Sequence, residues 1–536
     1  MWNFVKTNLM KNLKENYSEG INGILFITYC IFIFSADAYV LKSNNLIFFL
    51  RTVFFIVIGS IMICPFLMKF VRKISIQSEK VINKENSKIK WRIMFFVIPL
   101  SVFLFYYMAY FPGGFSPDSI VQYTQAINNE YNDWHPVIQT LLAIKLPLMI
   151  TGGWIGSITL FQIIVFSSVL SYSLYSLMIW TNRRFTIAAM LFILLNPQMG
   201  NIAMFPWKDV SFAIGALLLL TYAMHVYFSD GKWMQKKMNM VLFIVVEVLT
   251  TLFRHNALLF TIPLAVAVFC FISRKRMVVI VMGILILGIS IKIPLYTMLN
   301  VEQPDKRQVE TLGLPMNIIG AVAANNPEAL DIETKEFVYK VAQKNVWETK
   351  YSYGNYNSVK WDQLTNNDVI EEYGALKVLS MMFRCLKNSP REAIMGLIKL
   401  TNVVYSVSDD FLCYTIPSIS SNDYNIKVSG IPVLQMIDRL YAGFCNVLLP
   451  HLFMYTGSMH FILLLSILSK CKLNRWMDWK KILFIIPVLL YNFGTMFLLT
   501  GADDSGRFFY YTFLLMPVLI AFLYKEKRSE TVTVTV

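Results

Sequence analysis

Residues 93–119 read IMFFVIPLSVFLFYYMAYFPGGFSPDS, an apolar run that ends abruptly in a turn rich in glycine and proline. A helix needs roughly 17 to 25 predominantly apolar residues to cross a bilayer, and the run over 93–111 meets that length. Similar apolar blocks recur along the chain, over residues 21–40, 46–68, 154–179, 185–204, 210–228, 238–253, 257–272, 277–299, 448–469, 482–500 and 508–524. The sequence therefore predicts an all-α, polytopic membrane protein with about twelve transmembrane helices.

The composition and the distribution of charge agree with this class. Of the 536 residues, 56% are hydrophobic and 15% are charged, too few polar residues to cover a soluble protein of this length. The net charge of +15 does not indicate a nucleic-acid partner, because the basic residues form short clusters at alternate ends of the apolar blocks. By the positive-inside rule, these clusters predict a multi-pass protein of the cytoplasmic membrane with both termini in the cytoplasm. The clusters are Lys6/Lys11/Lys14, residues 69–92, Arg183/Arg184, Lys232/Lys236/Lys237, residues 274–276, 470–481 and 525–528.

This topology divides the chain into four regions. They are an N-terminal two-span extension with a basic cytoplasmic loop (1–92), a transmembrane core with a first outer loop at 112–153 (93–299), an extracytoplasmic segment (300–447), and C-terminal transmembrane helices with a cytoplasmic tail (448–536). The extracytoplasmic segment is expected to be mostly helical, with helices over 327–344, 368–386 and 390–406 and a loop over 351–366.

The apolar stretch 134–150 is treated separately. It is short and contains Lys145 and Pro147. If it crossed the membrane, every later basic cluster would change sides. We therefore interpret it as a helix that lies on the outer leaflet.

The turn after residue 111 contains the first candidate for catalysis. Its glycines and proline would present Asp118 where the chain leaves the membrane, and a partly desolvated acid there is suited to act as a general base. Asp118 also fits a helix N-cap, and the two roles are compatible. Gln122 and His135, which follow in the same outer loop, are assigned to substrate binding.

Three further polar turns are predicted on the same face. They contain Lys208 and Asp209 after Trp207, Arg254 and Asn256 between two closely spaced spans, and Asp503 and Arg507 before the last span. Cations at that depth are suited to stabilise a phosphate where water is scarce. We assign phosphate binding to Lys208, Arg254 and Arg507, a second catalytic carboxylate to Asp209, and substrate binding to Asn256 and Asp503.

Cofactor motifs do not add to this set. The five histidines are scattered, and the sequence contains no HExxH, no phosphate-binding Walker loop and no dinucleotide fingerprint. The sequence thus predicts no cofactor and no metal ligand among the candidate residues, and it leaves a divalent-metal requirement open.

These features together resemble the GT-C superfamily of membrane glycosyltransferases, in particular the branch with protein mannosyltransferases and aminoarabinose transferases. Four short runs look like those of an uncharacterised family of bacterial GT-C-like membrane proteins, and the resemblance extends over most of the chain from about residue 93 onward. The runs are Ser116-Pro117-Asp118-Ser119-Ile120-Val121-Gln122, Trp134-His135-Pro136, Pro206-Trp207-Lys208-Asp209-Val210 and Asn388-Ser389-Pro390. Asp118 matches the catalytic acid of the first outer loop, although Ser119 stands where better-known members often have a second acid.

The resemblance implies transfer of a sugar from a polyprenyl-phosphate donor to a glycan, lipid or protein acceptor outside the membrane, by an inverting reaction. Asp209 loosely matches a second acidic position, and Lys208, Arg254 and Arg507 fit the role of binding the donor phosphate. Membrane lipids are the other expected partners, and nucleic acid is not expected. The alternatives are a polymerase or ligase of envelope glycans, which would use lipid-linked oligosaccharides, and a transporter, which would place polar residues near the membrane midplane.

Overall fold

Helices form the regular structure of the computed structural model, which describes residues 85–304, 307–406, 415–473 and 479–524. These residues contain no β-sheet; their extended segments make isolated bridges, such as that between Phe115 and Ile419. The all-α class is therefore confirmed for the described part of the chain. The predicted spans 21–40 and 46–68, and most of the basic loop 69–92, lie outside the described residues.

In chain order the helices are α1 (Glu85–Ala109), α2 (Pro117–Asn128), α3 (Val137–Thr151), α4 (Gly156–Trp180), α5 (Arg183–Leu194), α6 (Pro197–Ile202), α7 (Lys208–Phe228), α8 (Lys237–Leu252), α9 (Leu258–Phe269), α10 (Arg274–Met298), α11 (Gly313–Asn325), α12 (Ile332–Val341), α13 (Lys344–Lys350), α14 (Asp368–Tyr373), α15 (Ala375–Asn388), α16 (Pro390–Tyr405), α17 (Pro432–Leu448), α18 (Thr456–Leu473), α19 (Ile486–Thr495) and α20 (Ser505–Tyr524). Short helical turns occur at Arg307–Thr311, Asn357–Lys360, Pro450–Phe453 and Trp479–Ile482.

Several of these helices are suited to cross a membrane. Five are long and apolar enough by length and composition: Ile89–Ala109 within α1, α4, α7, α10 and Gly506–Leu523 within α20. Shorter apolar helices are Val137–Thr151, His255–Phe269 and Ile486–Leu498. The helix α7 is almost wholly buried and packs against α4, α8 and α20, whereas α10 exposes most of its apolar side chains. An exposed apolar helix of this length is expected to face lipid.

The predicted span 185–204 is not one continuous helix. The structure divides it into α5 and α6, because Asn196 ends the first helix and caps the second. The Asn196 side chain accepts a hydrogen bond from the backbone N–H of Gln198, and Pro197 occupies the first helical position. Proline cannot donate a backbone hydrogen bond to the preceding turn, so the break follows from the Asn-Pro pair.

Basic residues meet at one end of the helices, which we call the basic end. Arg183 at the start of α5 lies over the ring of Trp91, 4.3 Å from its centroid. At the same end, Lys480 lies over the ring of Phe271, which packs against Tyr227 in the last turn of α7. The turns that contain the candidate site residues lie at the opposite end, which we call the polar end.

The helix α3 has both ends at the polar end. Near its start, the Gln139 amide donates to the carbonyl of Pro206, 3.2 Å away. After its last residue, α4 begins at Gly156, whose carbonyl accepts a hydrogen bond from Tyr107 near the end of α1. Met149 and Ile150 are each 69% exposed. This placement agrees with the interpretation of 134–150 as a helix that does not cross.

The described part of segment 300–447 is mostly helical, but its helices differ from those predicted. Its centre is α11, which the sequence analysis did not predict, and which packs against α13, α15 and α16. The helix expected over 368–386 is divided at Gly374, which has a φ of +74° and ends α14. The helix expected over 327–344 begins only at Ile332, after a short turn, and Asp331 caps it. Glycine adopts positive φ without steric cost, so it ends helices where other residues would continue them.

Candidate functional site

The turn between α1 and α2 fixes the position of Asp118. Gly113 has a φ of +133°, and a Cβ atom there would overlap the hydroxyl of Thr159. Ser116 caps α2 by accepting a hydrogen bond from the backbone of Ser119, and Pro117 follows at the first helical position. Asp118 therefore lies in the first turn, and its interpretation as the N-cap is wrong. The positive end of the helix dipole favours its ionised form there.

Asp118 forms an ion pair with Arg507, from the first turn of α20. The Nη1 atom of Arg507 lies 2.6 Å from Oδ2 of Asp118, and the two side chains are 18% and 33% exposed. These residues are far apart in the sequence. The structure thus brings together the predicted base and one of the predicted phosphate ligands, at a place that solvent reaches.

Aromatic rings join this ion pair to the turn before α7. The indole of Trp207 donates a hydrogen bond to the hydroxyl of Ser116, 2.8 Å away, and stacks on Phe205 with centroids 4.0 Å apart. The guanidinium of Arg507 lies 5.6 Å from the centroid of the Trp207 ring. Contact with an aromatic face favours a cation, so Trp207 helps to hold Arg507 at the site.

Lys208 is the first residue of α7 and lies beside this ion pair. Its charge interacts with those of Asp118, Arg507 and Arg254. Within the described part of the chain, no carboxylate lies within ion-pair distance of its ammonium group. Lys208 is half-buried, so its donors are available to an anion that enters from the solvent side.

Asp209 and Arg254 form a second ion pair, which is buried. The side chain of Asp209 is 1% exposed and that of Arg254 is 6% exposed. The guanidinium of Arg254 also lies 4.4 Å from the centroid of the Phe508 ring. Its Nε atom donates to Asn256, 2.6 Å away, and the Asn256 amide in turn donates to Thr495. The protein thus already engages Arg254, Asp209 and Asn256, which suits them to position the site.

The charges around Asp118 control its ionisation. Burial pushes the pKa of this carboxyl upward, but the cations Arg507 and Lys208 hold it well below its usual range. Asp118 is therefore a carboxylate at neutral pH. A carboxylate held in this way is a weak base until one of the neighbouring cations is engaged by another anion.

His135 is buried next to Asp118. Burial, together with the charge of Lys208, lowers the pKa of His135 to about 3. The imidazole is thus neutral at physiological pH. Its Nδ1 atom is buried and makes no hydrogen bond to any described residue.

The pKa of His135 predicts how the stability of the fold depends on pH. Between pH 6.5 and about 3, the unfolded chain binds a proton at this residue and the folded chain does not. Stability should therefore fall as the pH falls through this range. In His135→Gln, the drop in melting temperature between about pH 7.5 and about pH 5 should be smaller than in the unaltered protein. Equal drops in the two proteins would contradict this assignment.

The structure places Gln122 and Asp503, two predicted substrate ligands, in different settings. Gln122 is buried, and its amide nitrogen donates to Gln139, 2.5 Å away, and to Thr140, 2.8 Å away. These hydrogen bonds connect α2 to α3 and thereby support the position of Asp118. Asp503 is exposed and accepts hydrogen bonds from the amides of Asn355 and Asn357.

Glu310 is an acidic residue near the site that the sequence patterns did not indicate. Its charge interacts with that of Lys208, and its carboxylate forms an ion pair with Lys360. Neither Glu310 nor Lys360 belongs to a sequence motif, and the folding of segment 300–447 brings the two side chains together. No local sequence signal would have connected them to Lys208.

Among the described residues, no group of three or more His, Cys, Asp or Glu side chains is placed to hold a metal ion. Comparisons with protein families, with curated proteins and with solved structures found no match to this chain.

Proposed function

We propose that this chain is a membrane glycosyltransferase of the GT-C type, which transfers a sugar from a polyprenyl-phosphate donor to an acceptor outside the cytoplasmic membrane. The proposal includes about twelve spans with both termini in the cytoplasm, so that the polar end faces outward. One observation carries it. Asp118, Lys208 and Arg507 meet beside each other at one end of apolar helices, where a lipid headgroup would lie.

The donor phosphate would bind to Lys208 and Arg507. Both residues begin helices that are suited to cross a membrane, so their charges would lie near the depth of a lipid phosphate. Arginine binds phosphate oxygens through paired N–H donors, and lysine adds a compact charge. The rings of Trp207 and Phe508 limit where the Arg507 guanidinium can move, since they lie 5.6 and 5.0 Å from it.

The transfer step would be an inverting displacement. The oxygen of an acceptor hydroxyl attacks the anomeric carbon and forms the new glycosidic bond. The bond between that carbon and the phosphate oxygen breaks, and its electron pair leaves with the polyprenyl phosphate. The hydroxyl proton passes to Asp118, and the cations stabilise the charge that develops on the phosphate.

The ion pair between Asp118 and Arg507 couples donor binding to this step. In the absence of donor, Arg507 is the main cation that keeps the pKa of Asp118 low, against the upward effect of burial. A phosphate bound to Arg507 and Lys208 would neutralise part of their positive charge and so reduce their effect on the Asp118 carboxylate. The pKa of Asp118 would then rise, and the residue would become a better base when donor is present.

The function can be tested with the full chain in lipid vesicles. A polyprenyl-phosphate sugar and a mixture of envelope glycans, lipids and peptides would be supplied, and products would be analysed by mass spectrometry. The proposal predicts release of polyprenyl phosphate and addition of one sugar unit to an acceptor. Transfer of a preassembled oligosaccharide would support a ligase or polymerase, and movement of the donor across the bilayer without bond cleavage would support a transporter.

Lys208 gives a separate prediction. In Lys208→Gln, the affinity for polyprenyl phosphate should fall by about 10-fold or more, because a charge-assisted contact is lost. The melting temperature should change little, since no carboxylate depends on this lysine for an ion pair in the described structure. Lys292→Gln is the matched control, because Lys292 is a half-exposed lysine near the outer end of α10. Equal losses of affinity in the two variants would contradict a specific role for Lys208.

A further inference from the structure

An exposed tryptophan lies on segment 300–447, close to the candidate site. Trp361 is 70% exposed, although it follows the short helix Asn357–Lys360 and its backbone N–H donates to Asn357. The ammonium group of Lys360 lies 4.4 Å from the centroid of its ring. The backbone of Trp361 is thus held in place. Its indole contacts Lys360, and most of the ring surface is open to solvent. Tryptophan is enriched at binding interfaces, because its large ring combines an apolar face with a polar N–H.

A carboxylate lies next to this ring. Lys360 is 5% exposed and forms an ion pair with Glu310, whose side chain is 38% exposed. The buried lysine therefore orients a carboxylate that solvent can still reach. An oriented carboxylate accepts hydrogen bonds from hydroxyl groups at its remaining lone pairs.

Two connections place these residues at the edge of the donor site. The charge of Glu310 interacts with that of Lys208. Asn357, at the other end of the short helix, donates to Asp503, 3.1 Å away, four positions before Arg507 in the sequence. The short helix is only about 6 Å long at 1.5 Å per residue, so Trp361 lies within a sugar's reach of the Asp503 turn.

We propose that Glu310, Lys360 and Trp361 form a subsite that binds a carbohydrate acceptor, a proposal that rests on the glycosyltransferase function above. The indole face packs against the C–H face of a sugar ring, and Glu310 accepts hydrogen bonds from its hydroxyls. The ion pair with Lys360 fixes the direction of the carboxylate. The bound sugar then places the next hydroxyl toward Lys208 and Asp118.

The chemistry of the three side chains favours a carbohydrate over a lipid acceptor. A lipid tail would need an apolar surface, whereas the indole here is bordered by an ammonium and a carboxylate. A sugar presents both an apolar ring face and hydroxyls that match this combination. Membrane anchoring by Trp361 is the other use of an exposed indole near a bilayer, and the experiment below separates the two.

The test is binding of the purified full chain, in lipid nanodiscs, to an array of bacterial envelope oligosaccharides. The unaltered protein should bind at least one glycan, and Trp361→Ala should weaken that binding by about 10-fold. Trp361→Phe should retain binding within a few-fold, because a ring face remains. Phe383→Ala is the matched control: Phe383 is 64% exposed on α15, next to Arg384, which pairs with Asp331.

Absence of glycan binding by the unaltered protein would overturn the subsite. So would equal binding by the unaltered protein and Trp361→Ala, which is the result that membrane anchoring predicts. Sugar transfer by the unaltered protein distinguishes the two proposals. If the unaltered protein binds glycan through Trp361 but transfers no sugar, the glycosyltransferase function fails while the carbohydrate-binding site stands. If it transfers sugar but Trp361→Ala binds glycan equally tightly, the subsite fails while the function stands.

Discussion

Replacing Asp118 by asparagine should reduce sugar transfer by about 10²–10⁴-fold, the usual contribution of a general base. The variant should fold and insert as before, because Ser116 caps α2 and Asp118 does not. Transfer would be measured in vesicles, with the amount of folded protein determined by size-exclusion chromatography. Full activity in this variant would contradict the assignment of Asp118 as the base.

The same variant should bind polyprenyl phosphate more tightly, by about 3- to 10-fold. In the structure, the Asp118 carboxylate lies 2.6 Å from Arg507 and therefore competes with a phosphate for this guanidinium. Loss of the carboxylate removes the competitor. Glu130→Gln is the matched control, since it removes one exposed negative charge from the loop after α2 without contact to Arg507. Weaker or unchanged binding in Asp118→Asn would show that the Asp118 carboxylate does not compete with the phosphate for Arg507.

Replacing Arg254 by methionine should destabilise the protein by about 3–5 kcal/mol. Asp209 is 1% exposed, so the substitution would leave an uncompensated charge in the interior. The double variant Asp209→Asn/Arg254→Met should recover most of the loss, because neither side chain then carries a charge. Stability would be measured by thermal or denaturant unfolding in mixed micelles.

Lys208→Met is the matched control for this second prediction. Lys208 directly precedes Asp209 and, within the described residues, has no carboxylate at ion-pair distance. Its replacement should therefore leave stability nearly unchanged. If Arg254→Met were as stable as the unaltered protein but bound donor poorly, Arg254 would be a phosphate ligand, as the sequence analysis predicted, and its positioning role would be wrong.

The sequence identified the helical class and the residues at the polar end because both depend on strong local signals. An apolar block of span length predicts a helix wherever it occurs, and charged residues at the predicted outer ends of the blocks are few. Asp118, Lys208 and Arg507 could thus be named individually. Their contacts depend on the packing of α2, α7 and α20, and no local pattern encodes that packing.

The errors have equally specific causes. Asn196-Pro197 and Gly374 interrupt helices that the apolar pattern alone predicted to continue. The helix α11 was also missed. Its buried apolar residues lie on all of its faces, so it has no amphipathic pattern that would indicate it. Glu310 was missed because its proximity to Lys208 arises from the folding of a long segment.

For Asp209 and Arg254, the sequence indicated two charged residues at the polar end but not that they form a buried ion pair. A carboxylate and a guanidinium at two outer turns fit catalysis and phosphate binding equally well in the sequence. Only the structure reveals that the two side chains face each other in the interior, where they are 1% and 6% exposed. Burial of a paired charge is a property of tertiary packing, so spacing along the chain does not predict it.

The most direct test of the central claim is an experimental structure of the full chain with bound polyprenyl phosphate in a lipid nanodisc. We predict that the phosphate lies within hydrogen-bond distance of Lys208 and Arg507, and that Arg507 has moved away from Asp118. A phosphate bound elsewhere, with the ion pair between Asp118 and Arg507 intact, would contradict the account.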